Sequence, residues 1–83
     1  MLAATDVANM IRDIESDLEA RTNNDPTILS ITPKTWPSSA LGCPGPGEVA
    51  ATVLTNGYKI RFGAGSSVHD YHTRGSQNFR YCP

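Results

Sequence analysis

An α+β fold is predicted: one N-terminal amphipathic helix packed on a four- to five-stranded antiparallel meander sheet, closed by one disulfide. Three observations in the 83-residue chain point to it. Apolar residues recur at helical spacing near the N-terminus, β-rich runs separated by turn signals fill the remainder, and two cysteines stand far apart. The length allows a single domain over residues 1–83, with a thin core that a covalent staple would help.

The helix is expected over about Asp6–Arg21. Thr5 and Asp6 are good N-cap residues, and Val7, Met10, Ile11, Ile14 and Leu18 form a narrow apolar stripe. Asn23-Asn24-Asp25-Pro26 ends it. A stripe on one face requires a sheet to lie on, and that sheet is expected over residues 27–82. Thr27–Thr32 is β-rich and reads as a first strand, ended or pushed to an edge by Pro33. A long loop of residues 36–48 follows, in which three prolines and three glycines forbid regular structure.

Asn56-Gly57 inside Val49–Phe62 is a strong hairpin signal. A two-residue turn there would pair Thr55 with Tyr58, Val53 with Ile60 and Ala51 with Phe62. Lys59 and Arg61 would then share the opposite face. Gly63–Ser67 reads as a second turn, Val68–Thr73 as a strand, Arg74–Gln77 as a turn and Asn78–Cys82 as a short last strand.

Cys43 and Cys82 are either free thiols of a cytosolic protein or a disulfide closing a loop of 40 residues. The second reading is preferred, because it ties down the C-terminus, and it implies an oxidising, extracytoplasmic compartment. No signal peptide precedes the helix, so a secreted chain would be a mature form. No apolar run reaches the length of a membrane span. The net charge of −1 argues against a nucleic-acid binder. Residues 1–33 carry −4 and residues 34–83 carry +3, which fits an acidic helix face beside a mildly basic sheet.

The run Trp36-Pro37-Ser38-Ser39-Ala40-Leu41-Gly42-Cys43-Pro44-Gly45-Pro46-Gly47, then Gly57-Tyr58-Lys59-Ile60, Tyr71-His72-Thr73 and Cys82, resembles a set of small bacterial secreted or lipoprotein domains. Their pattern is W-P-x-x-x-L-G-C-P-x-P-G, then G-Y-x-I, then Y-x-Y-H and a terminal cysteine. The resemblance covers about residues 31–82, and the tryptophan-to-glycine loop is its specific part. It implies secretion and the disulfide, and it carries over no catalytic residue. The chain departs from the pattern at Asn56-Gly57 and at His69, where an aromatic is expected.

No catalytic constellation, cofactor motif or metal-ligand spacing stands out. His69 and His72 are three apart on a strand, so they point to opposite faces and cannot close on one ion without a bulge. Trp36 is expected to cap the core beneath the loop. The loop is the one feature that asks for a functional reading, because so long a connection in a small domain tends to be functional. The expectation is a non-enzymatic extracellular domain that presents this rigid, disulfide-anchored loop to a protein partner through Ser39, Ala40, Leu41, Gly42, Pro44 and Pro46. It would serve equally as an accessory subunit of an envelope or surface assembly, docking by its sheet or a free edge, and an open edge would admit oligomerisation. The sharpest alternative is a protease inhibitor whose Leu41 enters a specificity pocket. The alternative of another class is a small metal-binding protein or hydrolase, for which only His69, Asp70 and His72 speak. Against all of these stands a loop that merely completes the core, with Leu41 tucked inward.

Overall fold

A computed structural model describes residues 4–76 and 78–82. Helix α1 (Ala4–Thr22) precedes strands β1 (Pro26–Trp36), β2 (Thr55–Ala64), β3 (Ser67–Arg74) and β4 (Asn78–Cys82). The strands form one antiparallel meander in the order β1-β2-β3-β4.

The stripe on α1 does what its spacing demands. Met10, Ile14 and Leu18, four residues apart, are buried against Ile60, Phe62, Ala64 and Tyr71 of the sheet, and Ile11 packs beside them. Burying each large apolar side chain contributes about 1.5–3 kcal/mol. Asp6 in the first turn and Arg21 in the last complement the helix dipole. The helix stops at Asn23, whose φ of 55° breaks the spiral while its N–H donates to the Glu19 carbonyl at 2.8 Å.

The β2 alternation also holds: Tyr58, Ile60, Phe62 and Ala64 face the helix, where Tyr58 is half-buried and the others buried, and Lys59 and Arg61 lie on the other face. The predicted hairpin at Asn56-Gly57 does not form. Both residues lie inside β2, and its partner on that side is β1, with Thr35 opposite Asn56 and Lys34 opposite Gly57. Neither residue adopts the positive φ that the two-residue turn requires. Gly57 serves another purpose. A Cβ there would lie 1.8 Å from the Thr73 carbonyl oxygen, so the glycine lets β3 approach closely. The actual two-residue turn is Gly65-Ser66, which pairs Ala64 with Ser67.

Two boundaries move as a consequence. Residues 49–54, expected as a strand, are irregular, so the connection runs over residues 37–54 rather than 36–48. Strand β1 continues through Pro33 to Trp36, because an edge strand tolerates a residue that cannot donate on its solvent side. A register irregularity between Ile28 and Ser30 bends it.

The sheet is covered on both sides. The helix lies on one face. On the other lie Trp36, His72, Arg80 and Cys82, and the long loop crosses over them, stapled by the Cys43–Cys82 disulfide.

Candidate functional site

Trp36, buried at the end of β1, is the floor beneath the loop. Its indole Nε1 donates to the Thr73 carbonyl at 3.0 Å, and its ring stacks on His72 with centroids 4.3 Å apart and planes 16° from parallel. His72 Nδ1 lies 2.6 Å from the Leu41 carbonyl oxygen. A carbonyl only accepts, so Nδ1 carries a proton and is the donor.

The loop's inner half is structural. Ala40 is buried, and Leu41 is 5% exposed with a left-handed φ of 57°. Ala40 and Leu41, expected among the residues offered to a partner, are placed on the buried side of the loop, where the turn at Leu41 carries its side chain. Ser39 is half-buried and tied to Ala51 twice, since its N–H donates to the Ala51 carbonyl at 3.0 Å and its Oγ accepts from the Ala51 N–H at 2.9 Å. Of the six expected contact residues, Gly42, Pro44 and Pro46 stand exposed.

Arg80 on β4 organises the crossing. Its Nη1 donates to the Cys43 carbonyl at 3.1 Å and to the Ala40 carbonyl at 3.4 Å. The guanidinium also grips Glu48 through both carboxylate oxygens, at 2.5 and 2.6 Å. Glu48 Oε1 accepts the Gly45 N–H as well. The Arg80 guanidinium and the Gly45 N–H hold the Glu48 carboxyl down to about 2, against an ordinary 4.5. Pro44, Pro46, Glu48, Arg80 and Tyr81 line a shallow cleft of about 500 Å³ here. Sequence reasoning missed Arg80, and no local signal marks it.

Beyond the clamp the loop turns outward. Val49 is 96% exposed, Val53 53% and Leu54 81%.

His69 and His72 do lie on opposite faces. His69 is on the helix side, its Nδ1 2.9 Å from the Tyr81 hydroxyl and its Nε2 without a hydrogen-bond partner among the described residues. Asp70 pairs with Arg61 at 2.9 Å, and the guanidinium holds its carboxyl below the ordinary range. Those three residues do not converge. A different trio does: the sulfurs of Cys43 and Cys82 and a ring nitrogen of His72 lie within 4.8 Å of one another.

A second polar cluster sits under the end of the helix. The Tyr71 hydroxyl donates to Asp17 at 2.5 Å, Arg21 donates to the same oxygen at 2.7 Å, and the Arg21 guanidinium lies 4.3 Å from the centre of the Tyr81 ring. Burial would raise the Asp17 carboxyl, but these two donors outweigh it and hold it below its ordinary value. Burial and the bond to Asp17 push the Tyr71 phenol up.

Among the described residues no helix is long and apolar enough to cross a membrane. Neither a curated protein nor a solved structure matches the chain. One family, described as a domain of unknown function (DUF8738), matches residues 7–82, from the second turn of α1 to the disulfide at the end of β4. The chain belongs to the DUF8738 family.

Proposed function

We propose that the chain is a non-enzymatic, extracytoplasmic interaction domain that docks on a protein partner through the outer half of its loop, residues 44–54. The observation that carries this reading is the display of Val49, Val53 and Leu54 in solvent on a segment held by the disulfide, by Arg80–Glu48 and by Ser39–Ala51. Three large aliphatic side chains exposed within six residues are costly unless something covers them. A loop already ordered avoids about 0.5–1.5 kcal/mol of binding cost per side chain that would otherwise be immobilised. The disulfide supports an oxidising compartment.

A second reading, an accessory subunit docking along the sheet edge, is favoured by β1. It is an edge strand on which Ile28, Leu29 and Ile31 are exposed, and Pro33 and Lys34 guard only its C-terminal part.

Pull-down from the native extracellular fraction separates the two. The oxidised wild type, a Val53→Asp/Leu54→Asp variant and an Ile28→Lys/Ile31→Lys variant serve as baits, each with its melting temperature measured. The loop variant should lose the partner at unchanged stability while the edge variant keeps it. Retention by the loop variant refutes the leading reading, and loss in the edge variant alone assigns the second.

A further inference from the structure

We infer that the reduced protein holds a zinc ion between Cys43, Cys82 and His72, so that the staple and a metal site are alternative states of the same three side chains.

The donor atoms are within 4.8 Å of one another as the chain stands. A tetrahedral zinc site spaces two sulfurs by about 3.8 Å and a sulfur from a nitrogen by about 3.5 Å. Once the S–S bond is broken, the two sulfurs must separate to that spacing, a movement that Cys43 on its loop would make. The histidine is already prepared. Stacking on Trp36 holds its ring, and the Nδ1–H bond to the Leu41 carbonyl orients it, the kind of second bond that orients metal-binding imidazoles generally. His72 and Cys82 stand on adjacent, paired strands.

Cys43 is the one member of the trio outside the sheet, and it is held near by something other than its disulfide. Arg80 bonds the Cys43 carbonyl and grips Glu48 five residues on, so reduction leaves the loop clamped over the sheet. Two thiolates and an imidazole form a soft donor set suited to zinc, with the fourth position open to water.

The balance is simple. A dithiol reductant passes two electrons to the Cys43–Cys82 bond by thiol–disulfide exchange and becomes a disulfide itself. Zinc then displaces two protons from the thiols as it binds. A small-molecule disulfide reverses the exchange, taking up the two electrons and leaving as two thiols while the Cys43–Cys82 bond re-forms, and the metal is released because both sulfurs are consumed by the bond.

The test compares the oxidised chain with the chain reduced by a phosphine, which becomes its oxide and does not compete as a chelating dithiol. Zinc is titrated against a chromophoric chelator. Cobalt(II) is then added to read thiolate-to-metal absorption and quenching of Trp36, the sole tryptophan. Reduced wild type should bind one zinc about 100-fold more tightly than oxidised protein or Cys43→Ser. It should show tetrahedral cobalt absorption, quench Trp36 and gain melting temperature with zinc. His72→Gln should lose about tenfold or more in affinity, together with the quenching. Equal binding and quenching in His72→Gln overturns the site. So does reduced wild type binding no better than Cys43→Ser, and so does a reduced chain that lacks near-ultraviolet dichroism and does not regain it with zinc.

Discussion

Replacing Gly57 by alanine adds one methyl group, and the structure makes that methyl a backbone collision. The new Cβ would lie 1.8 Å from the Thr73 oxygen and 2.6 Å from its carbonyl carbon, where ordinary contact begins at 3.4 Å. The obstacle is main chain in a central strand, so β2 and β3 must part by about 1.5 Å. Three hydrogen bonds depend on their closeness: Trp36 Nε1 to the Thr73 carbonyl, the Tyr58 N–H to Thr73 Oγ1, and the Gly75 N–H to the Asn56 carbonyl. At about 1 kcal/mol each, with up to about 2 kcal/mol more for a buried indole N–H left unpaired, the loss is about 3–5 kcal/mol. Alanine restricts the unfolded chain and returns up to about 1 kcal/mol. A net cost near 3 kcal/mol should lower the melting temperature by about 12–24 °C in a domain of this size. Thermal unfolding followed by Trp36 fluorescence measures it. Gly45→Ala is the control, since among the described residues a Cβ there meets only Glu48 Oε1, at 3.5 Å. If Gly57→Ala loses no more than about 1 kcal/mol, as a glycine in an ordinary reverse turn would, the close approach of β3 is wrong.

Exchanging both cysteines for serine opens a loop with a sequence separation of 39, and the chain-entropy relation puts the loss at about 4 kcal/mol; urea unfolding of the oxidised wild type and the variant reads it. The Glu48 clamp sets an acid limit. Its folded value of about 2 lies below the ordinary 4.5, so its contribution is whole above about pH 4.5 and is lost as the pH falls through about 2. An NMR titration of the Glu48 carboxyl should show that low midpoint in wild type and an ordinary one in Arg80→Met; a midpoint near 4.5 in wild type removes the clamp. Tyr71→Phe deletes the bond to Asp17 and should cost about 1.5–3 kcal/mol, as a hydrogen bond to a charged group does, with the Asp17 titration moving upward. Leu41→Ala should behave as a core truncation, losing about 2–4 kcal/mol in thermal unfolding; an unchanged melting temperature would place that side chain outside the core.

What was legible in the chain was local. Met10, Ile14 and Leu18 announce their common face through spacing alone, and Tyr58, Ile60 and Phe62 announce theirs by alternation. The ends of β3 and β4 follow from Gly65, Gly75 and their neighbours. Asn56-Gly57 misled because a glycine has two uses. It permits positive φ, and it leaves room where another backbone passes; only the position of Thr73, sixteen residues on, decides between them. Pro33 shortened the expected first strand for a similar reason, since its tolerance depends on β1 lying at an edge. The loop's stiffness was readable from its prolines, but which half faces inward was not. That choice is made by Arg80, which reaches Ala40, Cys43 and Glu48 across 32 or more residues. In sequence His72 stands beside His69, but in the fold its ring lies next to the sulfurs of Cys43 and Cys82.

The placement of the disulfide also divides the molecule mechanically. The covalent ring from Cys43 to Cys82 contains β2, β3 and β4 and excludes α1 and β1. A force applied between the two ends of the chain would peel away the helix and the first strand, then meet a bond that does not yield. The chain could lengthen to about 150 Å, against about 290 Å were the ring open. Tension would strip the cover from one face of the sheet and leave the stapled loop in place on the other.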